Sequence, residues 1–139
     1  PRERAAEWLR AQVERALALT TWAAERPAGV SWPPEITIRQ GGPFREYASG
    51  HAWPRQGRIV VTTGDSAGDD LATLVHELAH IAAPPVRVGR RWESHGTRFR
   101  IVEAAAISEL VGQQVQPQRI TGGRSHSAAV AAWLDKPIV

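Results

Sequence analysis

Two histidines and a glutamate lie close together in the segment 76–80, which reads His-Glu-Leu-Ala-His. Residues four apart lie on the same face of a helix, so His76 and His80 can reach one metal ion together. Glu77, which follows the first histidine, can then act as general base toward a metal-activated water. The pattern is typical of zinc hydrolases. Its structural alternative is a buried helix with two hydrogen-bonded core histidines.

A catalytic zinc ion usually takes three protein ligands and leaves the fourth position for water. Downstream of the pentapeptide, four side chains could complete the set: Glu93, His95, Glu103 and Glu109. A Pro-Pro pair and a glycine between positions 81 and 94 predict that the first helix stops and the chain loops back before His95. Glu103 has two other interpretations, as a hydrogen-bond acceptor for a ligand imidazole or as a solvated helix charge.

The pentapeptide followed by His95-Gly96-Thr97-Arg98-Phe99 resembles the SprT-like zincin metalloproteases, whose pattern is His-Glu-Leu-x-His, a short variable loop, then His-Gly-x-x-Phe/Trp. The resemblance covers residues 35–112, and the two histidine motifs are its specific part. It implies that His76, His80 and His95 bind Zn²⁺ and that Glu77 activates the water. In the gluzincin branch of zincins a glutamate is the third ligand, which keeps Glu103 as the competing assignment. Larger members of the SprT-like family add a Cys-rich zinc ribbon, and this chain has no cysteine.

The predicted fold is a single α+β domain over residues 1–139, with the layout of a minimal zincin. Hydrophobic periodicity and turn residues predict an N-terminal helix, a small three-stranded antiparallel or mixed sheet, the helix that carries the pentapeptide, and two further helices. In chain order these are helix 3–26, strands 35–39, 47–53 and 58–63, a helix from an N-cap at Asp69 or Asp70 to about Ala83, and helices 96–115 and 127–134. Phe99 is expected to bury against the pentapeptide helix.

The net charge is +3, and five arginines lie between the pentapeptide helix and its successor or at the start of that successor: Arg87, Arg90, Arg91, Arg98 and Arg100. They predict weak contact with phosphate or nucleic acid, with Trp92 available for stacking. The alternative is an ordinary solvated loop. No run approaches the ~18 apolar residues of a membrane span, and no leader peptide is recognisable, so a cytoplasmic location without membrane contact is predicted.

The function that these observations predict is hydrolysis of peptide bonds in a protein or peptide, with Zn²⁺ as cofactor and Glu77 as general base. The strand over 47–53 could bind the substrate by strand addition. Tyr47 and His51 on that strand are candidate donors to the oxyanion, although His51 also fits a plain surface position. His126 carries no motif. Two other functions stay open: hydrolysis of a non-protein amide, and a non-catalytic, zinc-stabilised module that binds nucleic acid.

Overall fold

The computed structural model describes residues 2–118 and 126–136, and it confirms the predicted α+β class. Five helices and two small sheets make up the described residues. In chain order they are α1 (Ala5–Leu17), α2 (Thr20–Glu25), β1 (Glu35–Arg39), β2 (Ser49–Trp53), a 3₁₀ turn (Pro54–Gln56), β3 (Arg58–Thr62), α3 (Ala67–Ala82), β4 (Val86–Val88), β5 (Arg91–Glu93), α4 (Thr97–Val111) and α5 (Ser127–Leu134). None of these helices combines the length and apolarity that a membrane crossing requires.

The larger sheet has the strand order β1-β3-β2 and is mixed, because β1 runs parallel to β3 and β2 runs antiparallel to it. The β-branched sequence of β3 suits this central position. Its residues Ile59 and Val61 are fully buried and pair with Ala52 and Gly50 of β2. These side chains define the inner face of the sheet, which packs against α3. Strand β2 therefore lies at an edge of the sheet and next to the helix with the pentapeptide.

Helix α3 is the centre of the molecule, and every residue from Gly68 to Ala82 is buried. A helix that is enclosed on all sides needs partners all round. The sheet, α1, α4 and α5 provide them. The helix begins at Ser66, whose Oγ accepts a hydrogen bond from the Asp69 backbone N–H at 3.1 Å.

The prediction of Asp69 or Asp70 as the N-cap of α3 is wrong, because both carboxylates have long-range partners instead. Asp70 accepts a hydrogen bond from the Gly64 N–H at 2.7 Å and pairs with Arg2. Asp69 accepts from the Ala48 N–H at 2.6 Å and from the Ser127 hydroxyl at 2.8 Å. The first turn of α3 thus holds the segment before β2, the loop after β3 and the start of α5.

The predicted helix over 3–26 is wrong in one respect, since it breaks into α1 and α2 at Leu19. The break exposes the N-terminal amides of α2, which need hydrogen-bond acceptors. Glu109 of α4 supplies them by accepting from the N–H groups of Thr20 at 2.7 Å and Thr21 at 2.9 Å. A cap from so distant a part of the chain leaves no local sequence signal.

The segment between α3 and α4 forms the hairpin of β4 and β5, where the sequence predicted only a loop. In this hairpin Val86 pairs with Glu93, Arg87 with Trp92, and Val88 with Arg91. Helix α4 ends at Val111 rather than at 115, because Gly112 adopts a left-handed conformation with φ +68°. The predictions of β1 over 35–39 and α5 over 127–134 are confirmed, and β2 and β3 differ from prediction only at their ends.

Candidate metal centre

Three imidazoles meet at the surface of α3, and each turns its Nε2 toward the other two. The distances between Nε2 atoms are 3.2 Å for His76–His80, 3.3 Å for His76–His95 and 2.9 Å for His80–His95. The first two histidines are one turn apart on α3, and His95 follows β5 just before α4. The hairpin therefore returns the chain so that a residue distant in sequence completes the triangle.

This triangle has the size that a tetrahedral metal site requires. With metal–nitrogen bonds of about 2.0–2.1 Å, two ligand nitrogens of a tetrahedral ion lie about 3.3 Å apart. The observed separations of 2.9–3.3 Å are close to that value. Within the described ranges, His76, His80 and His95 form the single group of this kind that could hold a metal ion. Glu93, Glu103 and Glu109 do not belong to it.

The Phe99 ring contacts the imidazoles of all three histidines. Its side chain is buried in the first turn of α4, as the sequence predicted. The ring stacks on His80 at a centroid distance of 4.3 Å and meets His76 and His95 edge-on at 5.0 and 5.1 Å. One aromatic side chain thus limits the rotation of all three imidazoles. The spacing of four residues between His95 and Phe99 is what allows both to face α3.

Burial keeps two of the histidines in the neutral form that a metal ligand needs. It lowers the pKa of His80 to about 3, with His76 and His95 adding to the effect. Burial and the nearby His76 also lower the pKa of His95 below its usual value. Neutral imidazoles at these positions can donate a lone pair without first losing a proton.

Glu103 lies behind the triangle and holds His76 from the other side of its ring. Its Oε2 is 2.5 Å from His76 Nδ1, and the carboxylate is almost completely buried. A hydrogen bond at Nδ1 leaves Nε2 with its lone pair directed at the centre of the triangle. Of the three roles considered for Glu103, the geometry fits the hydrogen-bond acceptor for a histidine of the group. Burial by itself would raise the pKa of Glu103, but His126 and His76 lower it below the usual value.

His126 is the residue of this network that sequence reasoning missed. It immediately precedes α5, has φ +68° and is buried, with its Nε2 3.5 Å from Glu103 Oε1. In residues 2–118 and 126–136, neither of its ring nitrogens has a hydrogen-bond partner. Its position depends on the close packing of α5 on α3, where a Cβ added to Gly68 would lie 2.7 Å from the Ala131 Cβ. Because His126 belongs to no motif, the sequence held no signal for this position.

Glu77 points toward the edge strand β2. A Cβ built on Gly50 would lie 2.6 Å from its Cγ and 2.8 Å from its Cδ, so the carboxylate side chain occupies space that a side chain at position 50 would take. Burial raises the pKa of Glu77 to about 7, with the charge of Glu103 adding to the rise and His76 opposing it. A carboxylate with a pKa near neutrality is suited to accept and return a proton.

Glu77 and the three histidines line one cleft of about 610 Å³ between β2 and the segment that carries His95. Tyr47 also lines this cleft and stays a candidate donor to the oxyanion. His51 lines the same wall. Its ring, however, packs on Trp53 at 4.3 Å, on the face of β2 opposite to Gly50.

The five arginines do not form one patch. Arg87, Arg90 and Arg91 are exposed on the β4–β5 hairpin. Arg98 pairs instead with Glu25 at 2.8 Å, and the Arg100 side chain donates to the Gly96 carbonyl at 3.5 Å. Of these five arginines, the three on the hairpin are therefore the ones exposed together on one element.

No family model, curated protein or solved structure matches this chain. The resemblance to SprT-like zincins therefore stays a prediction that rests on the two histidine motifs. The site itself is described by its geometry, which is independent of that resemblance.

Proposed function

We propose that the protein is a zinc-dependent metallopeptidase in which Glu77 is the general base. The observation that carries the proposal is the convergence of three Nε2 atoms in the same cleft as a buried carboxylate with a pKa of about 7. Three imidazole ligands suit zinc, and three protein ligands leave a position open, as catalytic zinc sites do. A purely structural site is normally closed by four protein ligands and needs no base beside it.

The residues of the site divide the work of hydrolysis. His76, His80 and His95 would hold the zinc ion, which when bound supplies polarisation of the scissile carbonyl and a lower pKa for the attacking water. Glu77 accepts the proton of that water and delivers it to the leaving nitrogen. Glu103 and Phe99 keep the imidazoles in position, so that little reorganisation accompanies the reaction.

The position of β2 supports a peptide as the substrate. This strand pairs with β3 alone in the described part of the chain, so its outer edge runs along the cleft. An extended peptide can hydrogen-bond to such an edge and lie with its backbone across the metal ligands. Gly50 brings the backbone of β2 close to Glu77, which places the bound peptide near the base.

The direct experiment is digestion of a mixed peptide library by the zinc-loaded protein, read by mass spectrometry. The matched control is Glu77→Gln, which keeps the shape of the side chain and removes the base. We expect the variant to retain zinc and to cleave about 10²- to 10⁴-fold more slowly. Equal rates for the two proteins would contradict the role of Glu77. Cleavage of small amides but of no peptide would favour a zinc hydrolase of non-protein amides.

A second candidate function, contact with nucleic acid, is favoured by the β4–β5 hairpin. Its three exposed arginines lie close to Trp92, which is 60% exposed. Arginines of this kind bind phosphates, and an exposed indole can stack on a base. The test is binding of single-stranded DNA and RNA at increasing salt. Affinity that falls steeply with salt and is lost when Arg87, Arg90 and Arg91 are replaced by serine would support it.

A further inference from the structure

A second cavity of about 760 Å³ lies beyond the metal-ligand cleft, at the end of β2. Its walls come from the segment 29–31, the 3₁₀ turn after β2, the end of α3 and the β4–β5 hairpin. None of the three histidines or Glu77 lines it. The cavity therefore has no part in the chemistry of the site and needs a different explanation.

The walls of this cavity are mainly apolar. The side chains that give it this character are Val30, Trp53, Ile81, Pro84, Pro85 and Trp92. Arg55 is its only charged lining residue within the described ranges. Open apolar surface of this kind costs free energy in water and commonly marks a binding site. Its chemistry selects a ligand group that is large and apolar.

The cavity and the cleft are neighbours along β2, because Ala52, Pro54 and Pro85 line both of them. A peptide that extends along the edge of β2 past Glu77 would therefore continue over the second cavity. Gly50, which contacts Glu77, is three residues from Trp53, and a strand rises about 3.3 Å per residue. Trp53 in the cavity wall is thus about 10 Å along β2 from the glycine that contacts Glu77, a distance that two to four residues of an extended peptide would span.

Trp92 lines the cavity, and the pairing register of the β4–β5 hairpin determines which face of the hairpin it occupies. It pairs with Arg87, so these two side chains lie on one face of the hairpin, while Val88 and Arg91 lie on the other. The Trp92 side chain is 60% exposed and lines the opening. A large apolar group in the cavity would cover this indole.

We infer that this cavity binds a large aliphatic or aromatic side chain of an extended peptide substrate, two to four residues from the scissile bond. The inference rests on the proposed peptidase function and specifies its substrate. The lining residues shared with the metal-ligand cleft, the apolar walls and an exposed tryptophan at the opening together select this occupant. On the same grounds Trp92 is a specificity-determining residue and has no role in the hydrolytic step.

The test is the cleavage profile of a peptide library for the zinc-loaded wild type, Trp92→Ser and Val88→Ser. Val88 is 54% exposed on the opposite face of the same hairpin, which makes it a matched control. We expect the wild type and Val88→Ser to enrich large apolar residues at one position, two to four residues from the cut. For peptides with such a residue, Trp92→Ser should lower kcat/KM about 10- to 100-fold, as expected for loss of a tryptophan contact at a binding hot spot. Trp92→Phe should keep most of the preference.

A second measurement separates binding from turnover. In the Glu77→Gln background, a labelled peptide with a large apolar residue at the enriched position should bind more tightly than its serine counterpart. Adding Trp92→Ser should remove that difference. Cleavage without any positional preference, or a preference that survives Trp92→Ser in a normally folded variant, would overturn the inference and leave the peptidase proposal intact. Absence of cleavage of every peptide would overturn the proposed function and this inference with it.

Discussion

Glu103 Oε2 lies 2.5 Å from His76 Nδ1, on the far side of the imidazole from the converging Nε2 atoms. The carboxylate is therefore placed to orient a ligand histidine and does not join the group of ligand atoms. Orienting contacts of this kind fix the ring and its tautomer and raise the basicity of the ligand nitrogen. This contact links α4 to α3 at the candidate metal centre.

Replacing Glu103 with glutamine should weaken metal binding without abolishing it. We expect zinc affinity to fall about 10- to 100-fold, because the amide is a weaker acceptor for the His76 Nδ1–H. Competition with a chromophoric chelator measures this affinity. The control is Glu109→Ala on the same helix, which should lower the free energy of unfolding by about 1 kcal/mol through loss of the α2 cap and leave zinc affinity unchanged. Unchanged affinity in Glu103→Gln would contradict the orienting role.

His126 should influence the metal only through Glu103, since its Nε2 lies 3.5 Å from Glu103 Oε1. We expect His126→Phe to lower zinc affinity in the wild-type background and to have no further effect in Glu103→Gln. The same chelator competition on the two single variants and the double variant gives the coupling free energy. Additive losses from the two substitutions would show that His126 acts by another route.

Gly50→Ala should impair catalysis while leaving zinc in place. The new Cβ would lie 2.6 Å from Glu77 Cγ, so either the carboxylate or strand β2 must move. Because small misplacements of a catalytic group are costly, we expect kcat/KM to fall about 100-fold. Gly42→Ala is the control, since a Cβ there meets no atom within 4 Å. Wild-type activity in Gly50→Ala would mean that the position of Glu77 is not critical.

The raised pKa of Glu77 predicts a pH dependence of stability in the metal-free protein. The Glu77 carboxyl has a pKa of about 7 in the folded state and 4.5 in the unfolded state. Between these two pH values the folded state therefore holds the carboxyl proton more tightly than the unfolded state does. The contribution of Glu77 therefore lowers stability as pH rises from 4.5 to 7, by about 3 kcal/mol in total.

Glu77→Gln isolates that contribution, because the histidines titrate in both proteins. In the presence of EDTA, the variant should gain stability relative to wild type as pH rises through this window, and chemical denaturation at several pH values measures the difference. A difference that does not change with pH would contradict the raised pKa.

The parts of the fold that could be predicted from the sequence are those that depend only on residues close together in the chain. The spacing of His76 and His80 requires only one helical turn, and the alternation over 35–39 describes β1 directly. The third histidine was predicted from the pattern around His95 and Phe99. Helix α4, which follows His95, was predicted from the sequence. The β4–β5 hairpin, which brings His95 to the other two histidines, was not.

The remaining features depend on contacts between distant parts of the chain. Glu109 caps the start of α2 after the break. The acidic first turn of α3 binds groups from four other segments, and Ser66 is the N-cap of that helix. His126 enters the site only because α5 packs on α3. No periodicity or motif encodes these pairings, since each becomes visible only when the helices are placed together.

Metal content is the first quantity to measure, because it shows whether His76, His80 and His95 hold one zinc ion. Wild type, His95→Ala and Glu103→Ala are equilibrated with the same buffered free zinc concentration and measured by elemental analysis. We predict one zinc per chain in the wild type, loss of zinc in His95→Ala, and binding in Glu103→Ala that is restored at higher free zinc. Full occupancy in His95→Ala, or no zinc in the wild type under any loading condition, would contradict the account.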